Sequence, residues 1–307
     1  MKYPKQLKKG DTVALVCPSS PISEERKLKC IKLIEDMGYE CKVASNVTTN
    51  YGGYMAGDGK ERGEILNAMF ADNEVDAIFC LRGGDGGSRA MEHIDFEILK
   101  ANPKIFVGYS DITSLHTAIN RNCDFVTFHG PMVSSNMLEN FDEETFKSFF
   151  EAINTEEAYE FQNPKDKSIG VLKEGLAQGQ LIGGNLALLS ASIGTSYEVD
   201  TEGKILFIEE VGETMSRIER FAYQLKNAGI FKKCSGIILG QFTECTNNEM
   251  PEYNELECFK DILRDIDIPV LYNVQSGHAH PMMTLPFGAQ CTIDTKKLNI
   301  SFEKPKR

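Results

Sequence analysis

The first half of the chain alternates short apolar runs with amphipathic stretches. Thr12–Cys17, Cys41–Ala44, Asp76–Cys80 and Ile105–Val107 predict strands, with helices predicted near Ser23–Met37, Lys60–Phe70 and Asp111–Asn120. Alternation of this kind places strands parallel in one sheet with helices on both faces. From Glu151 to Gln178 the periodicity fades, and Asn163-Pro164-Lys165-Asp166-Lys167-Ser168 has the composition of a turn-rich connector. Beyond it, strands are predicted at Gln178–Ile182, Ile205–Ile208, Ile237–Leu239, Val270–Leu271, Ala289–Ile293 and Leu298–Phe302. Helices are predicted from Asn185 and over Glu213–Ala228. The pattern therefore divides into an N-terminal α/β domain over 1–150, a connector over 151–178 and a mixed α/β domain over 179–307.

Composition narrows the class. A chain of 307 residues with 41% hydrophobic and 25% charged residues has the make-up of a globular protein with a substantial core. No apolar run reaches the roughly 20 residues that span a bilayer, and the Lys-rich opening has no apolar middle, so a cytoplasmic location and no membrane partner are expected. The net charge of -12 disfavours a nucleic acid polymer as partner. Nine cysteines without CxxC spacing fit reduced thiols rather than zinc ligands or a disulfide framework, and neither a metal nor a cofactor is expected.

The candidate chemistry starts in Ile105-Phe106-Val107-Gly108-Tyr109-Ser110-Asp111, an apolar strand that ends at a glycine, with a serine two residues later and helix-forming sequence behind it. A serine on such a turn projects from the sheet edge beside helix-start N–H groups, the geometry of a nucleophile. A helix cap made by Ser110 and Asp111 is the competing reading. Arg82-Gly83-Gly84-Asp85-Gly86-Gly87 follows another apolar strand; it lacks the lysine of a phosphate loop, and its glycines suit N–H groups converging on an oxyanion, or a tight turn.

A nucleophilic serine needs a base, and the base needs an orienting group. His278 and His280 lie in a segment flanked by Gly277 and Pro281, more accessible than His116 on an apolar helix face, and the pattern leans toward His278. Ile205-Leu206-Phe207-Ile208 ends in Glu209-Glu210; because side chains alternate along a strand, only one of the two acids is expected to reach the histidine. Both could equally be solvated. Gly183-Gly184-Asn185 either lines the cleft or caps a helix through Asn185.

At these residues the sequence resembles the LD-carboxypeptidase family of serine peptidases, and within it the branch of microcin C immunity proteins. The resemblance runs from Lys9-Gly10-Asp11 and Pro18-Ser19-Ser20 through Arg82-Gly83-Gly84, Gly108-Tyr109-Ser110-Asp111, Gly183-Gly184-Asn185-Leu186 and Leu206-Phe207-Ile208-Glu209. It ends in Gly277-His278 and Pro286-Phe287-Gly288. It implies a Ser110–Glu209–His278 triad and an oxyanion hole of Gly84 and Asp111 N–H groups; if Asn185 lines the cleft, it is the expected substrate contact. It also implies a flavodoxin-like N-terminal parallel-sheet domain, a smaller β-rich C-terminal α/β domain, and a homodimer. The implied reaction is cleavage of an amide bond near a free carboxylate. The substrate would be either an LD-linked murein tetrapeptide losing D-alanine or a microcin C-like peptidyl or aminoacyl nucleotide. A noncatalytic protein that sequesters such a ligand is the alternative. The likeness to the immunity branch breaks at one point: that branch is expected to stack a linking-loop tryptophan on the nucleobase, whereas this chain has no tryptophan and offers only Phe161 there.

Overall fold

The computed structural model describes residues 1–307. Fourteen strands form two sheets. They are β1 (Thr12–Val16), β2 (Glu40–Val43), β3 (Ala77–Cys80), β4 (Ile105–Gly108), β5 (Thr127–His129), β6 (Tyr159–Glu160) and β7 (Gly170–Lys173), followed by β8 (Leu176–Asn185), β9 (Ile205–Val211), β10 (Gly236–Thr243), β11 (Val270–Tyr272), β12 (Leu285–Phe287), β13 (Gln290–Asp294) and β14 (Asn299–Phe302).

The first sheet runs β12-β5-β4-β3-β1-β2, with β1 to β5 parallel and β12 antiparallel at the edge. Its parallel order, 2-1-3-4-5, is the flavodoxin-like arrangement, which reverses direction between β1 and β3. The loops after β1, β3 and β4 therefore open at one sheet edge, around the reversal. Fully buried runs such as Ala77–Cys80 and Ile105–Val107 are what a sheet covered on both faces requires. The helices begin where local chemistry allows: the Ser23 hydroxyl accepts from the Arg26 N–H to start Glu24–Asp36, and Asp58 caps Gly59–Ala71 through the Glu61 N–H.

The second sheet runs β6-β14-β13-β8-β9-β10-β11-β7. Strands β8 to β11 are parallel, and β13, β14, β6 and β7 flank them antiparallel. Helices Leu186–Ala191, Met215–Asn227 and Glu255–Ile262 connect the parallel strands and build a 21-residue core with Leu206 and Ile208, while Ile205 and Phe207 face a 60-residue core shared with the first sheet.

Several elements were not foreseen from the pattern. Segment 151–178 carries β6, β7 and the start of β8, and the helix Glu143–Asn154 runs into its first residues. Strand β12 leaves the C-terminal half to pair with β5, Leu285 opposite His129, before the chain returns to the second sheet as β13. The segment containing His278 is thus anchored at one end in each sheet.

Candidate active site

Ser110 follows β4 on a turn that holds it at φ 64°, left-handed backbone uncommon for a residue with a Cβ. The preceding glycine explains how the turn is so tight: a Cβ on Gly108 would meet the Ile112 side chain at 2.9 Å. Beneath it, buried His116 stands at hydrogen-bond distance from the Gly108 carbonyl, 2.9 Å, and from the Thr127 hydroxyl, 2.8 Å, which ties β4 to β5. Burial pushes the His116 imidazole down to about 4, so it is neutral and structural.

The glycine loop lies against this turn. A Cβ on Gly83 would sit 2.9 Å from the Ser110 Cβ, so only glycine permits the approach, and Gly84 adopts φ 114°. The backbone N–H groups of Gly84 and Asp111 have no acceptor in the chain and remain available. The Asp111 carboxylate points the other way, accepting from the Ser19 hydroxyl at 2.5 Å and the Gly87 N–H at 2.7 Å. Burial raises this carboxyl above its ordinary value, while those two donors oppose the shift. Buried Arg62 completes the scaffold by donating to the carbonyls of Pro18 (2.5 Å) and Gly86 (2.7 Å). The loops after β1, β3 and β4 are therefore one hydrogen-bonded unit.

Alternation along β9 continues past its apolar residues. Glu209 lies on the Ile205–Phe207 side and Glu210 on the Leu206–Ile208 side. Glu209 is fully buried, and its Oε2 stands 2.7 Å from His278 Nδ1, while Oε1 has no partner. Glu210 instead accepts from the Asn185 amide, the Ala187 N–H and the Val211 N–H. His278 packs edge-on to Tyr109, with ring centroids 4.7 Å apart. Burial works to lower its pKa, but the charge and hydrogen bond of Glu209, with Glu210 behind, outweigh it and leave the pKa raised. The segment is fixed on both sides of the ring: the Gln241 side-chain oxygen accepts from the Ala279 N–H at 2.9 Å, and the Ser276 hydroxyl donates to the Met283 carbonyl at 2.7 Å.

Ser110, His278 and Gly84 line one cavity of about 400 Å3, together with Arg26, Arg82, Gly83, Tyr109, Met132, Ser134, Ser135 and Glu139. No hydrogen bond joins Ser110 to His278. His280 is exposed and lies outside this cavity, with Nδ1 3.9 Å from Asp142 Oδ2. Asn185, expected to touch substrate, is 3% exposed and does not line the cavity. Its side-chain oxygen caps the following helix through the Leu188 N–H, and its amide nitrogen binds Glu210 at 2.6 Å. The capping role is the one the geometry supports.

Arg26, Ser134, Ser135 and Glu139 escaped the sequence reading. The last three belong to a π-helical turn over Val133–Met137 and the short helix after it, a segment without clear periodicity that only packing brings beside Ser110. Arg62 was also silent, because an arginine buried under backbone carbonyls has no sequence signature.

What this arrangement offers is a hydroxyl held out on a strained turn, two free N–H groups beside it and an imidazole oriented by a buried carboxylate, all at one cavity. Residues 13–130 match the LD-carboxypeptidase N-terminal domain, and residues 178–293 match the LD-carboxypeptidase C-terminal domain. A Bacillus subtilis (strain 168) protein described as a "probable murein peptide carboxypeptidase" is 38% identical over 95% of this chain and 91% of its own length. The microcin C7 self-immunity protein MccF of Escherichia coli is 29% identical over 95% of this chain and 93% of its own. A solved structure of MccF in complex with glutamyl sulfamoyl guanosine superposes with a TM-score of 0.89 at 27% identity, covering 98% of each chain. Likeness of this extent in sequence, domain order and fold makes the chain a member of the LD-carboxypeptidase family.

Proposed function

We propose that the protein is a serine carboxypeptidase that removes the terminal residue of an LD-linked murein tetrapeptide. The observation that carries the mechanism is the Glu209–His278 contact at 2.7 Å, made on the wall of the cavity that also holds Ser110. Ser110 Oγ attacks the scissile carbonyl carbon and its proton passes to His278 Nε2. Nδ1 keeps its proton against Glu209, which stabilises the imidazolium that results. This transfer requires Ser110 and His278 to close to hydrogen-bond distance as substrate fills the cavity. The tetrahedral oxygen takes hydrogen bonds from the Gly84 and Asp111 N–H groups; losing one such donor typically costs about 2.7–4 kcal/mol of transition-state stabilisation. Nε2–H then protonates the leaving amine, and a water deprotonated by the same nitrogen releases the acyl group from Ser110. The division of labour follows the chain: residues 1–150 carry the nucleophile and 179–307 carry Glu209 and His278.

A peptidyl or aminoacyl nucleotide is the second reading, favoured by the likeness to MccF with its nucleoside-linked ligand. The linking segment weighs against it. Phe161, the one aromatic residue between 161 and 178, is 5% exposed and packed in the larger core, so the segment presents no ring for a base to stack on. Incubating the purified protein with an LD-tetrapeptide and with an aminoacyl sulfamoyl nucleoside, with products identified by mass spectrometry, separates the two. Release of D-alanine from the tetrapeptide is the expected result. Cleavage of the nucleoside conjugate alone would defeat the murein assignment, and turnover of either by Ser110→Ala would defeat the mechanism.

A further inference from the structure

We propose that Arg82 is the residue that binds the free carboxylate of the substrate, and so restricts cleavage to the last peptide bond. This rests on the carboxypeptidase reading above. Four side chains that carry or can acquire charge line the cavity: Arg26, Arg82, Glu139 and His278. Arg26 is already committed: it pairs with Glu139 at 2.7 Å, donates to the Ser134 hydroxyl at 3.0 Å and also binds the Ser134 carbonyl. His278 is occupied by Glu209. Arg82 is different, because its only contact is a long one, 3.4 Å from Nη1 to the Pro21 carbonyl, and no carboxylate lies within ion-pair distance. In a chain with 45 acidic and 33 basic residues, an arginine without an acid beside a candidate nucleophile leaves a local positive charge that suits an anion.

Position supports the assignment. In a carboxypeptidase substrate a single Cα separates the scissile nitrogen from the carboxylate carbon, so the anchor must lie about one residue's reach from the oxyanion donors. Arg82 is two residues before Gly84 on the same loop, a separation of at most about 7 Å between Cα atoms. The guanidinium fork matches two carboxylate oxygens. Because the Arg82 side chain is exposed and nearly unbonded, replacing it leaves the packed scaffold of the loop intact.

The test compares an LD-tetrapeptide ending in free D-alanine with the same peptide ending in D-alanine carboxamide. With wild type, the free acid is the better substrate. Arg82→Gln raises KM for the free acid by about 10- to 100-fold with kcat changed much less, leaves the carboxamide parameters unchanged, and Arg82→Lys recovers part of the loss because a lysine keeps the charge without the fork. Binding measured by calorimetry on Ser110→Ala, with and without Arg82→Gln, reads the same contact without turnover. Preference of Ser110→Ala for the free acid, abolished by Arg82→Gln, supports the proposal even if the reaction is other than supposed. Equal or absent binding of the two peptides, or equal losses for both in Arg82→Gln, overturns it. Failure of wild type to cleave either peptide overturns the murein reading, while the binding comparison still decides on Arg82.

Discussion

Glu209→Gln tests how much the buried carboxylate does for His278. The amide has the same shape and can still meet Nδ1, but it carries no charge and can present its NH2 group, which fixes the wrong tautomer. In wild type, with one oxygen 2.7 Å from Nδ1, charge separation on forming imidazolium is about 4 Å between charge centres. At an effective dielectric of about 20 this attraction is worth about 4 kcal/mol, or about a 10³-fold change in rate, and loss of the correct tautomer brings the expected fall in kcat to about 10³–10⁴-fold. The pH profile supplies a second signature. The proposed mechanism needs neutral imidazole, so the net raised pKa of His278 is expected to put the acid limb of kcat/KM above the ordinary histidine value of 6.5; without the Glu209 charge, burial is expected to move the limb below it. A folded variant that loses less than tenfold in D-alanine release, or whose acid limb stays in place, would refute this account.

The same shift has a stability consequence. A folded pKa raised above the unfolded one stabilises fully below the unfolded value and loses that contribution as pH rises through the folded value. The difference in thermal midpoint between wild type and Glu209→Gln is therefore expected to favour wild type more at pH 5.5 than at pH 8, checked by calorimetric scans. Asp111→Ala strips the partner from the Ser19 hydroxyl and the Gly87 N–H and should cost about 2–4 kcal/mol by denaturant unfolding; full stability would contradict the strut. Arg62→Ala leaves the Pro18 and Gly86 carbonyls without their donor, and a lower thermal midpoint with a greater fall in kcat than rise in KM is expected. Gly183→Ala would drive a Cβ into the Phe207 carbonyl at φ 134°, so little folded protein should be recovered; a normal yield with native circular dichroism would show that β8 and β9 can separate.

Much of the site was legible because its parts are local. The strand that ends at Gly108, the serine after it, the glycine loop and the paired acids after Ile208 all depend on short-range rules of alternation and turn chemistry. Alternation even decided that Glu209 and Glu210 part company, as they do. The two sets of parallel strands were also visible, since parallel strands with intervening helices leave periodic traces. Strands β5, β6, β7 and β12 did not, being two to four residues long and dependent on neighbours for their pairing.

Sequence alone determined the fold class, the candidate nucleophile and a choice of bases and acids. Tertiary structure decided which of them meet, because 69 residues separate Glu209 from His278 and no local pattern spans that distance. It also decided that Asn185 supports the scaffold, that Phe161 is buried, and that Arg82 alone among the cavity's cations has no acid beside it. The Glu209–His278 contact arises because the chain passes from the second sheet at β11, through His278, to the first sheet at β12, and such a crossing is a property of packed surfaces rather than of any window of residues.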